Sequence, residues 1–374
     1  MRGPRPAGPE DEILGVRPGQ VVRPETVEEA AEVMRKAHAE GGTVVARGNG
    51  TRLHWGGAPR SCDVLVDTRA LDRVVEHAAG DLVVTVEAGM PMALLQELLA
   101  PARQQLALDS PLDSSVGGVL ATASAGPRRL LYGTPRDLLI GVTVIRADGE
   151  VVKSGGKVVK NVAGYDLGKL YTGSFGTLGL IVRASFRLHP LPDQRVFVVA
   201  AERDPRRAVL ALLHSPLVPS AMEIDGAGTD GTLAVLFEGS AADVRAAEAV
   251  RLLGGAARIA EEPAWWGRYP DGEVLLEVRA KPSELAEVLA LGGSRIRGSA
   301  GSGVWFIGTF AASAPDLVAR LRRRWTTIVR CAPPRLHGSL DLWGPSPALP
   351  LMRRVKDRFD PGHRLSPGRF IGGV

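Results

Sequence analysis

The chain reads as an α+β protein: a glycine-looped first domain made of two small α/β subdomains, then a ferredoxin-like α+β domain. Two observations carry this. Glycine-rich runs at the ends of candidate strands are confined to the part before Pro190. Beyond Pro192 they give way to alternating strand and helix patterns, which suit an open-faced sheet with helices on one side. The expected boundaries are an irregular lead-in over 1–20, a first domain over 21–190, a second over 191–332, and a C-terminal segment over 333–374 that returns to the first domain.

The lead-in is rich in Pro, Gly and charge and lacks an apolar stretch, so it reads as disordered and not as a signal peptide. A helix follows over 24–39. Thr26 and Glu29 have capping-box spacing, and Val27, Ala30, Ala31, Met34 and Ala37 share one face. Gly41-Gly42 stops it, and β-branched strands are expected at 43–46 and 64–67. A strand at 82–88 leads into a helix with Pro91 in its first turn and Leu94, Leu95, Leu98 and Leu99 on its apolar side. Segments 138–146 and 150–153 flank Ala147-Asp-Gly149 as a hairpin, and a strand runs over 181–188. In the second half, strands are expected at 196–200, 221–224, 233–238, 274–278 and 304–309. Helices are expected at 205–214 and 241–253 and from Pro282 and Pro315. No internal sequence repeat is evident, and 359–370 reads as irregular.

The 374 residues are enough for two or three packed units, and 45% hydrophobic content excludes a disordered chain. No apolar run is long enough to span a bilayer. Cys62 and Cys331 are the only cysteines, too few for a disulfide framework, a structural zinc site or an iron–sulfur cluster; the reading is a reducing, cytoplasmic compartment with no metal. The net charge of +5 is scattered, and no nucleic-acid-binding motif accompanies it, so it reads as a basic surface. The densest cluster, Arg320, Arg322, Arg323, Arg324 and Arg330, is either a solvated helix end or a dock for an acidic partner.

Three glycine runs stand out: Arg47-Gly-Asn-Gly-Thr-Arg-Leu-His-Trp-Gly56, Ser114-Ser-Val-Gly-Gly118 and Gly173-Ser-Phe-Gly-Thr-Leu-Gly179. Such runs offer main-chain N–H groups without side-chain bulk, which suits an extended diphosphate ligand. Gly48-x-Gly50 is a poor Rossmann fingerprint, because the third glycine would fall at Leu53, and there is no Walker lysine. A dinucleotide cradled by loops of two small subdomains accounts for the runs better than three unrelated turns.

With these motifs in this order, the chain resembles the FAD-binding PCMH-type (vanillyl-alcohol oxidase) flavoproteins from about Val22 to His189, with an echo at Phe359-Asp-Pro-Gly-His-Arg-Leu-Ser-Pro-Gly-Arg-Phe370. The resemblance implies FAD, with Arg47, Gly48, Asn49, Gly50 and Thr51 around its pyrophosphate. It implies a second wall through Pro111, Ser115, Gly117, Gly118, Ala121, Ser124 and Gly126, and a third loop through Gly176, Thr177, Gly179 and Ile181. Lys160-Asn-Val-Ala-Gly-Tyr-Asp166 beside the third run is most similar to the FAD-binding subunit of bacterial glycolate oxidase that works beside a second flavoprotein. That implies a 2-hydroxy-acid substrate, a second flavoprotein subunit and an iron–sulfur subunit as partners, and a place at the inner face of the plasma membrane through them. Many relatives attach the flavin through a histidine where this chain has Thr51, so non-covalent FAD is expected; His54 lies nearby at a different spacing. Phe175 replaces the acid usual in the catalytic 2-hydroxy-acid dehydrogenases of the family, Ser366 replaces an asparagine, and the downstream histidine metal motif is missing.

Oxidation of a 2-hydroxy acid needs a cation for the carboxylate and a base for the hydroxyl proton. Arg335 and His337 fit these types and share a face if their segment is extended; ordinary polar strand residues are the plainer reading. Lys157, Lys160, Tyr165 and Asp166 form a second cluster. Lys160 and Tyr165 are candidates for groups over the flavin ring, or parts of a packed loop. A self-contained FAD oxidoreductase acting on a sugar or aldonolactone, and a flavin-binding assembly subunit without turnover, remain as alternatives.

Overall fold

The structure, a computed structural model, describes residues 2–111, 113–156, 165–255 and 257–374. The chain divides into two compact units. The first comprises Met1–Ser124, Thr134–Pro190 and Pro345–Val374; the second comprises Ala125–Gly133 and Leu191–Gly344. The C-terminal return thus begins at Pro345 and not at residue 333, so Arg335 and His337 belong to the second unit.

The lead-in is not irregular. Strand β1 (Arg2–Pro6) pairs antiparallel with β2 (Gln20–Arg23), with Arg5 opposite Val21. A short turn between them buries Asp11, which accepts from Arg5 at 2.7 and 2.9 Å. The polar composition looked like disorder because the segment is held by partners distant in the chain: Asp11 also pairs with Arg47 at 2.9 Å, and β1 pairs with β2. Helix α1 (Val27–Ala39) begins at the Thr26 cap, whose hydroxyl accepts from the Glu29 N–H at 3.1 Å. The Glu29 carboxylate accepts from the Glu25 N–H, one residue before the cap, so the reciprocal half of the expected box is displaced. Val27, Ala30, Ala31, Met34 and Ala37 are all buried, as the helical spacing requires. Strands β3 (Val44–Arg47) and β4 (Val64–Asp67) complete a four-stranded sheet in the order β1-β2-β4-β3, with β4 parallel to both neighbours.

The second subdomain holds β5 (Val74–Ala78) and β6 (Val83–Glu87), then α2 (Met92–Leu99). Met92, Leu95 and Leu99 form the buried stripe of α2, whereas Leu94 and Leu98 are exposed. Pro91 is the cap residue, so the first inward position is Met92 and the i, i+3, i+7 series runs from there. Next come β7 (Gln104–Gln105), α3 (Val116–Thr122), α4 (Arg129–Tyr132, in the second unit) and α5 (Pro135–Leu138). The expected hairpin is β8 (Leu139–Ile145) against β9 (Val151–Gly155). After α6 (Gly168–Tyr171), β10 (Leu180–Arg187) enters the centre of an antiparallel sheet ordered β5-β6-β10-β8-β9; the short β11 (His189–Pro190) pairs with β7.

The second unit carries β12 (Arg195–Glu202), α7 (Pro205–Leu213), β13 (Ala221–Ala227), β14 (Asp230–Glu238), α8 (Ala242–Leu253) and β15 (Arg258–Ala260). The same succession follows in β16 (Val274–Arg279), α9 (Leu285–Gly292), β17 (Ile296–Ser299), β18 (Val304–Thr309), α10 (Ala314–Arg322) and β19 (Thr326–Cys331). The eight strands form one antiparallel sheet ordered β15-β12-β14-β13-β17-β18-β16-β19. It is two ferredoxin-like βαββαβ halves joined where β13 pairs with β17. The duplication is structural, and the sequence does not display it. Val198, Leu233, Val235 and Phe237 share a core with α7 to α10, while Phe197 and Leu236 alternate to a small cluster on the other face.

Within the arginine cluster, Arg330 is buried and donates to Glu277 at 2.7 Å, and Arg322 donates to the Asp341 carbonyl at 2.8 Å. Arg324 lies over the Trp325 ring at 4.8 Å, so three of the five are engaged within the fold. The tail also contains an amphipathic helix absent from the sequence-based expectations, α11 (Leu349–Phe359), which belongs to the first unit.

Candidate functional site

Strand β3 delivers Arg47 to the start of the first glycine run. Its guanidinium pairs with Asp11 at 2.9 Å and Asp67 at 3.4 Å. Hydrogen bonding from Arg5 and Arg47 holds the Asp11 carboxyl well below the usual carboxylate range. Burial of Asp67 opposes its charge, but Arg69 and Arg47 keep its pKa low as well. Arg47 is thus an anchor for the run, fixed by two acids.

From Gly48 to Thr51 the four main-chain N–H groups donate to no acceptor among the described residues. Gly50 turns the chain through φ +77°, a region that costs a residue with a Cβ. Side chains then tie this run to the second. Asn49 donates to the Asp113 carbonyl, Thr51 and Ser114 hydroxyls lie 3.0 Å apart, and a Cβ on Gly48 would collide with the Ser115 side chain.

The second run behaves differently. The N–H groups of Val116, Gly117 and Gly118 donate to Met90 O at 2.9 Å, Ala88 O at 2.7 Å and Ser115 Oγ at 3.3 Å. They are not available to a phosphate, so this run is a wall and not a second nest. Gly117 is required for close packing, since a Cβ would sit 2.9 Å from the Ala88 methyl. In the third run, Gly173 N–H and Phe175 N–H donate to the Leu120 and Ala121 carbonyls, both at 2.8 Å, stitching it to α3.

These pieces frame one open cleft in the first unit, lined by Arg47, Gly48, Gly50, Thr51, Ser115, Gly118 and Ala121 together with Arg52, Phe175 and Arg369. Of the expected cofactor residues, Asn49 and Ser124 support it: Ser124 Oγ accepts from Arg52 at 3.2 Å. Gly176 has φ +73° and faces the Ser366 hydroxyl. Others are placed in different roles. Pro111 is exposed and only closes a turn with the Ser114 N–H. Thr177, Gly179 and Ile181 are buried parts of the interior: the Thr177 hydroxyl donates to the Ser174 carbonyl, Gly179 packs against Tyr171, and Ile181 joins the core. Gly126 belongs to the second unit, where it lines a small cleft with Arg129, Glu223, Arg268, Tyr269 and Arg297.

The expected catalytic pair is not assembled as a clamp and base. Pro334–Leu336 is a 3-10 turn, so Arg335 and His337 do not share an extended face. Proline at its first position favours the turn over a strand. Arg335 is exposed and bonded to Glu273 at 2.7 Å, and His337 Nε2 lies 3.1 Å from the Ala332 carbonyl. Tyr165 is 89% exposed. Lys160, with Lys157 and Asn161, lies outside the described residues.

Sequence reasoning missed three groups. Arg369, on the C-terminal tail, is 4% exposed, and burial lowers its pKa to about 10. Arg52 lies over the Trp55 ring at 4.5 Å. Phe370 stacks on Phe175 at 5.7 Å, so the aromatic residue that replaces the expected acid packs the tail. Crowding by the loop, with Arg52 and Arg369, holds the His54 pKa below its usual value, although the ring remains accessible to solvent. Only the family echo at 359–370 and the expected return of the C-terminal segment to the first domain hinted at the tail. Burial pushes the Cys62 thiol up to about 12, which leaves it inert.

Residues 18–155 match the family described as FAD binding domain. This chain carries an FAD-binding domain of the PCMH type. An FAD-linked oxidoreductase of Mycobacterium tuberculosis is 31% identical to the chain over 220 residues, 57% of this chain and 48% of that protein. Glycolate oxidase subunit GlcE of Escherichia coli is 33% identical over 194 residues, 51% of this chain and 54% of that subunit. The chain spans about half the length of these curated relatives. Alkyldihydroxyacetonephosphate synthase has a similar fold, with a TM-score of 0.72 at 15% identity over 94% of this chain and 76% of that one. The open N–H run of the FAD domain fits a bound diphosphate.

Proposed function

We propose that this chain is the FAD-binding subunit of a glycolate or related 2-hydroxy-acid oxidase or dehydrogenase, passing electrons from substrate toward an iron–sulfur partner. The observation that carries the reading is the run of four N–H groups from Gly48 to Thr51, unengaged among the described residues, beside buried Arg369 inside an FAD-binding domain. The likeness to a glycolate oxidase subunit supports the substrate class and the partners, a second flavoprotein subunit and an iron–sulfur subunit. Bound FAD supplies a two-electron acceptor. The chain's own residues hold and orient it. The 48–51 N–H groups bind its diphosphate, Asp11 and Asp67 fix the Arg47 anchor, and Ser114 and Ser115 close the cleft on the other side. Thr51, with its hydroxyl directed at Ser114, offers no imidazole for attachment, in keeping with non-covalent FAD. No helix among the described residues is long and apolar enough to cross a membrane; the proposed place is the cytoplasm, at the inner face of the membrane through partners.

One observation favours a second reading, a self-contained FAD oxidoreductase. The cleft in the second unit is lined by Arg129, Arg268 and Arg297; Arg297 is bonded to Asp225 and Arg129 to the Ala125 and Gly126 carbonyls, which leaves Arg268 as the cation for an anionic substrate. An anaerobic absorbance spectrum before and after glycolate or D-lactate separates the readings. A bound flavin that bleaches in the isolated chain means that the chain has its own substrate site. One that bleaches only when partner subunits are present supports the subunit reading. Absence of flavin after reconstitution with FAD would overturn both.

A further inference from the structure

We propose that Arg369, carried on the C-terminal tail, is the counter-cation for the diphosphate held by the first glycine run. The inference rests on the FAD reading for the identity of the anion, and goes beyond it by naming the residue that meets the charge and making the tail part of the binding site.

Three arginines line the cleft and they are not equivalent. Arg47 is already paired with Asp11 and Asp67. Arg52 is laid over Trp55 and donates to the Ser124 hydroxyl. Arg369 is 4% exposed, yet among the described residues its side chain donates only to the Gly57 carbonyl, at 3.0 Å, and meets no carboxylate. A guanidinium has five N–H donors, and burying its charge without a compensating anion is costly. The lowered pKa of Arg369 expresses that cost. A group in this condition is maintained where a bound anion completes it, and the unengaged N–H groups of 48–51 open on the same cleft. A diphosphate accepts from both at once, and its bonds to an arginine are the charge-assisted kind.

The tail's other ties explain how the guanidinium is positioned. The Ser366 N–H donates to the Val44 carbonyl at 2.8 Å, the Arg369 carbonyl accepts from the Gly57 N–H at 3.1 Å, and Phe370 stacks on Phe175. The main chain of Arg369 is therefore held independently of its charge, so a neutral side chain at this position leaves the tail docked.

The test uses the full chain, stripped of flavin, as wild type, Arg369→Met and Arg369→Lys, with ADP and FAD as probes. ADP carries the diphosphate without the flavin. In the wild type both ligands raise the melting temperature. In Arg369→Met the empty protein is expected to melt above the empty wild type, because an uncompensated buried charge is gone. Its FAD affinity falls by about tenfold or more, and the ADP-induced shift shrinks in parallel. Arg369→Lys keeps the charge and lies between the two. This opposition of signs, a more stable empty protein that binds more weakly, is what a purely structural arginine cannot give. Unchanged affinity in Arg369→Met overturns the inference while leaving the FAD reading intact. A loss of affinity accompanied by a less stable empty protein also overturns it, since that marks a scaffold bond to Gly57. A wild type that binds neither ADP nor FAD overturns the FAD reading itself.

Discussion

Lys356 donates to the main-chain carbonyl of Thr177 at 2.7 Å, and that bond fastens the C-terminal helix to the third glycine run. The same ammonium donates to Asp360 at 2.7 Å and to the Leu365 carbonyl at 2.9 Å, so its three donors meet three acceptors with none of the residue exposed. Helix α11 therefore ties the segment 360–365, which leads to Arg369, to the third glycine run.

Lys356→Met is expected to lower stability by about 3–5 kcal/mol, because Asp360 becomes an uncompensated buried charge. The double variant Lys356→Met, Asp360→Asn should recover most of the loss. Urea denaturation of both checks this; equal losses would mean that packing, not charge, sets the cost.

Glu277, buried in β16, accepts from Arg330 at 2.7 Å and from Arg279 at 2.8 Å. Burial opposes its charge, but the two guanidiniums prevail and hold its pKa at about 2, against 4.5 unperturbed. The folded value lies below the unfolded one. The stabilisation is therefore complete above about pH 4.5 and is lost as the pH falls toward 2. It is worth on the order of 3 kcal/mol at most. Glu277→Gln should remove it at neutral pH and flatten the acid limb of the stability profile. An unaltered acid limb would show that other carboxylates control acid unfolding.

Gly48→Ala drives its Cβ into the Ser115 side chain, at the junction of the first two glycine runs, whereas Gly80→Ala meets nothing within 4 Å. The first substitution is expected to abolish retention of FAD through purification, and the second to leave it unchanged. The ratio of flavin to protein absorbance reads both. Stoichiometric FAD in Gly48→Ala would contradict the cradle.

Arg335→Ala tests the catalytic pair that composition pointed to. Because Arg335 is an exposed partner of Glu273 on a turn, its loss is expected to change the rate of flavin reduction by glycolate, with any required partners present, by less than about threefold. A fall of about a hundredfold would reinstate it as the carboxylate clamp.

Much of the fold was legible because local signals and tertiary packing agree. In α1, the Thr26 cap and the buried Val27–Ala37 stripe both follow from residue type and the 3.6-residue period. The 47–51 run was legible as a cradle because glycine at φ +77° leaves a trace in the sequence. What escaped depends on partners distant in the chain. The Val116–Gly118 run looked as open as Gly48–Thr51, and only the structure shows its N–H groups already given to Met90, Ala88 and Ser115. Arg335 and His337 alternate on paper, but the turn that holds them begins at Pro334, whose fixed φ suits a helical start. The repeat in the second unit is invisible because its halves share strand order and not residues. The importance of Arg369 lies in what its side chain lacks, and no pattern of spacing records a missing partner.

The N-terminal strand gives the last prediction. A disordered lead-in could be trimmed without consequence, but Asp11 is buried, joins Arg5 to Arg47, and accepts from the Gly8 N–H at 2.9 Å. Arg47 in turn begins the glycine run. Without Asp11, Asp67 is left to hold Arg47 at 3.4 Å while also serving Arg69. Asp11→Asn keeps the size and the Gly8 bond but halves the charge opposing Arg47, so the run should lose definition and FAD should bind about tenfold more weakly. Deleting residues 1–12 should do at least as much. The sign of the pH effect follows from the depressed carboxyl of Asp11: its contribution is present above the ordinary aspartate range and disappears as the pH drops below it. The wild type and Asp11→Asn should therefore converge in stability at strongly acidic pH and differ at neutral pH. Titration of the FAD-free chains with FAD at neutral pH, followed by flavin fluorescence, measures the affinity. Equal affinity in the trimmed chain would mean that Asp67 alone suffices to set the cradle.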